Sequence, residues 1–275
     1  LVLTAFVAAL RLMRLARPRY IPASEGDIQS VRGIVRSSPN TYAHLAMLRD
    51  KSFLISTDGT GFLMYAVAGR SWVCMGDPVG PPAARSELAW RFREMVDLYA
   101  GWTVFYQAGR ENLPLYLDLD LALMKIGEQA RVPLPDFSLA GQSRKGLRYT
   151  RNMVEKEGAV FEIAPASAVP ELLPELRRVS DAWLASKHAR EKKFSLGFFS
   201  EEYLREYPVA LVRKGGRIVA FANLWESSGR EELSIDLMRY SPEAPTSVME
   251  YLNIMLMLWG REQGYQWFDL GMAPF

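Results

Sequence analysis

From Ser24 onward the apolar positions alternate between helical and strand periods. Ser24–Ser37 and Tyr42–Leu48 read as helices. Phe53–Ser56, Phe62–Ala68 and Ser71–Met75, separated by TDGT and AGR turns, read as an antiparallel meander. The GDPVGPP stretch, Gly76–Pro82, breaks the sheet before a helix over Ala83–Ala100 and a strand over Trp102–Ala108. Leu113–Leu134 is ambiguous, because its LYLDLDLAL alternation fits a strand at one point and a helix at another. Past the Pro133–Pro135 break, Gly141–Gly158 reads as a polar helix.

The second half repeats this layout. A strand over Ala159–Ile163 precedes a helix over Ala168–Ser186, and strands Val209–Arg213 and Arg217–Trp225 turn through KGG. A strand over Glu232–Met238 then passes through YSPEAPTS into a helix from Val248 to about Gln263. Ser247 and Glu250, three apart at its start, predict a capping box. The helix is apolar almost all round over Val248–Trp259, yet it is short and carries Glu250 and Asn253, so it reads as buried against a sheet rather than crossing a membrane. A last strand covers Gln266–Leu270. The pattern predicts an α/β chain with mixed α+β sheets, built as duplicated domains over residues 20–140 and 158–275 and joined by a basic helix at 141–157.

Composition narrows the chemistry. One cysteine, Cys74, forms no internal disulfide, and two histidines with one thiol are too few for the usual structural zinc sites. The net charge of +2 divides unevenly: residues 1–20 hold four arginines and no acid, and the remainder is −2, so a polyanion must bind a local patch. The chain begins LVLTAFVAAL and runs into RLMRLARPRY. A full span needs about 20 apolar residues, so residues 1–19 read as the end of a membrane span with arginines marking its cytoplasmic side. An amphipathic or buried N-terminal helix and a signal-peptide remnant are the alternatives. At the other end, GMAPF directly after a strand suggests that the chain continues.

Three clusters carry candidate chemistry. Arg144, Arg148 and Arg151 fall at i, i+4 and i+7 with Lys145 alongside and no acid before Glu155, a row suited either to phosphates or to solvent. Asp236 and Arg239 end a strand; on a regular strand they face opposite ways, so a common cavity requires a bend. As an alternative they form a surface ion pair. KHAREKKFSLGFF, Lys187–Phe199, reads as a loop that closes over something, with His188 either a general base or a solvent-exposed residue at a helix end. The loop Tyr240–Ser247 has no glycine and two prolines, which argues against a coenzyme A pyrophosphate cradle. No GxSxG, Walker, GxGxxG or HExxH motif is present.

The ordered motifs GDPVG (Gly76–Gly80), SRKGLRYTRN (Ser143–Asn152), EKKFSLGFF (Glu191–Phe199), FANLW (Phe221–Trp225), DLMRYSPEAP (Asp236–Pro245) and GYQWFDLGMAPF (Gly264–Phe275) resemble the cytosolic domain of bacterial phosphatidylglycerol aminoacyltransferases, the lysyl- and alanyl-phosphatidylglycerol synthases or multiple peptide resistance factors. The resemblance implies tandem GNAT-like domains behind a membrane flippase domain, on the cytosolic side of the bacterial inner membrane. It implies transfer of an aminoacyl group from aminoacyl-tRNA to a glycerol hydroxyl of phosphatidylglycerol, giving resistance to cationic antimicrobial peptides, with no redox cofactor, metal or ATP. Asp236 is assigned to the aminoacyl ammonium or to the general base, and Arg239 to a phosphate. Substrate contacts are expected from Lys193, Phe194, Ser195 and Gly197, from Asn223, and from Gly271 and Met272. Arg144, Lys145, Arg148 and Arg151 would follow the tRNA acceptor stem. A Fem-like or other GNAT-type transferase and a non-catalytic RNA- or membrane-binding module are the rival readings.

Overall fold

The computed structural model describes residues 23–275. The expected membrane-span end, residues 1–19, lies outside them; among the described residues no helix is long and apolar enough to cross a membrane. The chain divides into two compact units, one formed by the residues up to Ile34 with Arg49–Lys125, the other by Val35–Leu48 with Ile126–Phe275.

Helix α1 (Glu25–Ser37) starts with a reciprocal cap: Ser24 Oγ accepts the Asp27 N–H and Asp27 accepts the Ser24 N–H. Strands β1 (Ser52–Ile55), β2 (Phe62–Ala68) and β3 (Ser71–Met75) form the expected antiparallel meander. After β3 the chain turns through Gly76 and Gly80, both at positive φ, and Pro82 opens helix α2 (Pro82–Asp97), where its preset φ favours the first helical turn. Leu88, Phe92 and Val96 of α2 pack on Leu63, Trp72 and Cys74, and strand β4 (Trp102–Tyr106) returns parallel to β3. The ambiguous stretch resolves into helix α3 (Leu113–Asp118) and strand β5 (Gly127–Pro133), with the LDLAL alternation lying in neither. β5 pairs antiparallel with β10 (Trp267–Pro274) of the second sheet, so the observed division falls ahead of residue 140 and is not a single cut.

The second unit is built on a six-stranded sheet in the order β5-β10-β9-β8-β7-β6, with β6 (Ala159–Ala164), β7 (Val209–Lys214), β8 (Arg217–Glu226) and β9 (Glu232–Tyr240). Only β9 and β10 are parallel neighbours. One face is covered by helix α7 (Val248–Glu262), whose Tyr251, Leu252 and Leu256 share a core with Val212, Ala220, Ala222 and Leu224. The apolar helix is therefore buried against the sheet, as its length and polar residues implied. Helix α4 (Lys145–Lys156) packs beside it, and Thr150 donates to Glu250 at 2.9 Å. That contact corrects the capping-box expectation: Ser247 sits at φ 65 with no side-chain cap, and Glu250 is engaged by α4. The opposite face carries helix α5 (Val169–Ser186), against β8 and β9, and the short helix α6 (Glu201–Leu204). Each unit thus contains an antiparallel run, β1-β2-β3 in the first and β6-β7-β8-β9 in the second, followed by a helix and a strand parallel to the last of the run.

Candidate active site

The two parallel strands stay together for only three residues. Glu232, Leu233 and Ser234 of β9 pair with Trp267, Phe268 and Asp269 of β10; beyond them β9 continues along β8 while β10 follows β5. Each strand leaves the other through an irregularity held by a buried polar side chain. In β9, Leu224 pairs with Ile235 and Ala222 with Met238, so Asp236 and Leu237 together oppose Asn223. The Asn223 Oδ1 accepts the Leu237 N–H at 2.8 Å. This β-bulge adds one residue to the strand, shifts its alternation, and brings Asp236 and Arg239 to the same face. In β10 the register breaks between Asp269 and Met272; Gly271 adopts φ 85 and its N–H donates to Asp269 Oδ1 at 2.8 Å.

Donors from the loop before α6 and from α6 itself hold Asp236. Its Oδ1 accepts the Gly197 N–H at 2.7 Å and its Oδ2 accepts the Tyr203 hydroxyl at 2.7 Å. The Tyr203 oxygen in turn accepts from Trp225 Nε1 at 2.7 Å and Asn223 Nδ2 at 3.2 Å, so the phenol is locked as a donor to the carboxylate. Burial, then the Asp236 charge, raise the Tyr203 pKa well above its ordinary value. Gly197 is required by contact: a Cβ there would lie 1.9 Å from Asp236 Oδ2. Arg239, 9% exposed, stacks on Trp183 with 4.1 Å from its guanidinium carbon to the ring centroid, donates to the Met238 carbonyl, and pairs with Glu191 at 2.9 Å. Desolvation lowers its pKa, an effect opposed by the Glu191 carboxylate.

The loop between α5 and α6 supplies Glu191 and Gly197 to this face, but the other expected residues fall differently. His188 follows the α5 C-terminus at φ 47 and is exposed. Lys193 is exposed over the Phe198 ring, Phe194 has a positive φ, and Ser195 is half-buried with its N–H on the Lys193 carbonyl. Asn223 is fully enclosed, with both ends of its amide engaged by Leu237 and Tyr203, so its effect on any substrate passes through the bulge. Met272 is half-buried beside Gly127, where a Cβ would meet its sulfur at 2.4 Å, and Gly271 is exposed.

Sequence reasoning missed Tyr203, Trp183 and the buried acids at the root of the wedge. Glu232 accepts from Thr41 N and Oγ1 and pairs with Arg131 at 3.0 Å; burial pushes its carboxyl pKa up. Asp269 also accepts from Gln129. An acid opening one apolar strand and another inside the next were the available signals.

Each arginine of the row has a partner within the chain. Arg144 stacks on Phe137, Arg148 donates to the Leu139 and Gly141 carbonyls, and Arg151 pairs with Glu155 at 2.9 Å. Arg144 and Lys145 are exposed, whereas Arg148 and Arg151 are half-buried. Among the described residues no group of three or more His, Cys, Asp or Glu side chains is placed to hold a metal ion.

A mixed sheet opened between parallel strands and backed by helices on both faces defines a GNAT-like α/β protein. The solved structure of FemX shares this fold, with 11% identity, a TM-score of 0.58 and coverage of 94% of this chain and 89% of that one. Residues 32–275 match the family described as phosphatidylglycerol lysyltransferase, C-terminal, and the chain belongs to that family. Phosphatidylglycerol lysyltransferase of Bacillus subtilis (strain 168) is 39% identical over 236 residues, 86% of this chain and 27% of the relative; that of Staphylococcus aureus (strain COL) is 35% identical over 85% of this chain and 28% of the relative. The structure of L-PGS from Bacillus licheniformis superposes with a TM-score of 0.86 at 38% identity, covering 94% of this chain and 82% of that one. The chain spans little more than a quarter of the curated relatives' length.

Proposed function

We propose that this chain carries the aminoacyl-transfer site of a tRNA-dependent phosphatidylglycerol aminoacyltransferase. The observation that supports this most directly is the β9 bulge, which sets an acid and a base three residues apart on one face of an opened strand wedge, in a member of this family. Such a pair matches substrates that bring an ammonium and a phosphate. The reaction is transesterification: the lipid glycerol oxygen attacks the aminoacyl ester carbon, its proton is removed, and the ester bond to the tRNA 3′-terminal ribose breaks as that oxygen takes up a proton. The ester is already activated, so the residues' task is to align reactants, move a proton and stabilise an oxyanion. Asp236, fixed by Gly197 and Tyr203, receives the ammonium or the hydroxyl proton; Arg239 receives a phosphate. Arg144 and Lys145 contact the tRNA. The two units are read as tandem GNAT-like domains, standing on the cytosolic side of the membrane beside a membrane domain of the whole protein.

The test is transfer from lysyl- or alanyl-tRNA to phosphatidylglycerol vesicles by the full-length enzyme. Asp236→Asn should lower transfer by at least about 10²-fold, measured below the variant's own melting temperature. Near wild-type transfer by that variant overturns the assignment, and preference for a peptidoglycan-precursor acceptor in the same assay overturns the lipid reading.

A further inference from the structure

Glu191 divides its carboxylate between two partners. Oε2 accepts from Arg239 Nη2 at 2.9 Å, and Oε1 accepts the Phe199 N–H at 3.2 Å. The pair is shielded, with side-chain exposures of 11% for Arg239 and 23% for Glu191. Arg239 Nη1 is taken by the Met238 carbonyl, while Nε is buried and has no hydrogen-bond partner. Nε and Nη2 form one edge of the guanidinium fork, the edge that accepts a planar or tetrahedral anion through two parallel bonds. Glu191 fills half of that edge. Residues 189–200 form no helix or strand, so this segment is held by contacts such as Glu191 with Arg239, Gly197 with Asp236 and the Phe199 ring beneath Arg177.

We infer that Glu191 is an internal stand-in for a phosphate diester on Arg239. It is a positioning residue: it keeps the guanidinium aimed while the edge is unfilled and withdraws when the headgroup arrives. The inference rests on the reading that Arg239 receives a phosphate. A diester oxygen pair satisfies Nε and Nη2 together, which Glu191 does not, and two anions on one shielded guanidinium repel strongly. As Glu191 leaves, its hold on the Phe199 N–H goes with it, so headgroup binding frees the loop that carries Lys192 and Lys193, both exposed.

The experiment uses soluble glycerophosphoglycerol, with inorganic phosphate as a second probe, and limited trypsin cleavage after Lys192 and Lys193. Glycerophosphoglycerol should speed cleavage in the wild-type chain. Glu191→Gln should be cleaved rapidly without ligand and should bind glycerophosphoglycerol at least about tenfold more tightly, the low end for losing a competing hydrogen bond between charged groups. Inorganic phosphate should act at least about tenfold more weakly, because it lacks the glycerol arms; equal action overturns the headgroup assignment. Unchanged or weaker binding by Glu191→Gln, or slower wild-type cleavage with ligand, overturns the stand-in role. The wild-type cleavage arm decides even if the variant does not fold. Arg239→Lys that keeps full affinity removes the phosphate reading itself, a result independent of Glu191.

Discussion

Gly197 controls where the acid stands. Its N–H donates to Asp236, and the space a Cβ would need is occupied by the same carboxylate. Gly197→Ala must therefore push Asp236 off Tyr203 or move the loop, and either displaces the carboxylate proposed for transfer by more than the tolerance of a positioned site. Transfer should fall by at least about tenfold with the circular dichroism spectrum unchanged; a fully active Gly197→Ala enzyme would show that the Asp236 position is not critical. A second residue-scale effect concerns His44, 6% exposed, with Nε2 against the Glu226 carbonyl and Nδ1 against the Tyr207 hydroxyl. A carbonyl only accepts, so Nε2 carries the hydrogen and Nδ1 accepts from Tyr207. Burial lowers the His44 pKa to about 4 from 6.5. Above pH 6.5 the ring is neutral folded and unfolded, and its stabilising part is complete; between 6.5 and 4 only the unfolded chain takes the proton, and stability falls by up to about 3 kcal/mol. Glu232, whose folded pKa is raised, works in the opposite direction, losing its contribution as pH rises through that pKa. The difference between wild-type and His44→Gln denaturant midpoints across pH 4–7 isolates the histidine: the wild-type curve should fall more steeply toward acid, and parallel curves would rule the effect out.

At the scale of elements, α4 separates two uses of arginine that the sequence spacing made look alike. The i, i+4, i+7 row was legible and the helix forms, but spacing does not tell what each guanidinium meets. Arg148 holds the carbonyls of Leu139 and Gly141 in the chain leading into α4, and Arg151 is neutralised by Glu155 one turn on, while Arg144 and Lys145 remain exposed. Arg148→Ala should lower the melting temperature because two loop carbonyls lose a charged donor, a change of about 1.5–3 kcal/mol. Arg144→Ala with Lys145→Ala should cost at most about 1 kcal/mol, the loss of the exposed stack on Phe137, and flatten the salt dependence of tRNA binding by up to about 0.9 per lost phosphate contact. Equal thermal loss in both variants, with no change in salt slope, would leave α4 a purely structural helix. The same limit on sequence reading holds in β9. Asp236 and Arg239 were legible as candidates, yet i and i+3 on a strand face apart, and the device that unites them is an amide on the neighbouring strand. Asn223 in FANLW has the composition of a substrate ligand; its role as the clamp of a bulge depends on a strand register that local sequence does not encode.

At the scale of the whole molecule, the strand and helix periods of both halves were legible because each buries one face, and the GDPVGPP and YSPEAPTS breakers marked the crossovers. What local pattern did not carry was membership. LDLAL alternates yet pairs with nothing, whereas GEQARVP, polar and mostly exposed, is the strand beside β10, because pairing at an edge is set by the backbone of its neighbour. The second unit likewise draws on a distant segment: Val35–Leu48 belongs to it, although some 80 residues of the other unit intervene before Ile126. Within that segment Thr41 gives two hydrogen bonds to Glu232, and Ala43, Leu45, Ala46, Met47 and Leu48 are all buried. A chain cut to Ile126–Phe275 therefore loses both Thr41 donors to the buried Glu232 carboxylate at the root of the wedge and uncovers the surface those residues protect. Removing hydrogen-bond partners from a buried acid costs about 1–3 kcal/mol or more, and the uncovered apolar surface adds to it. The truncated chain should be insoluble or melt at least about 10 °C below the 275-residue chain, and Thr41→Val in the intact chain, which removes the Oγ1 donor and keeps the N–H, should cost about 1–3 kcal/mol, with a larger deficit at pH 7 than at pH 4 because the ionised carboxylate is the form that needs the donor. If Ile126–Phe275 folds with an unchanged melting temperature, the 35–48 segment is an appendage and the two units are separable by one cut.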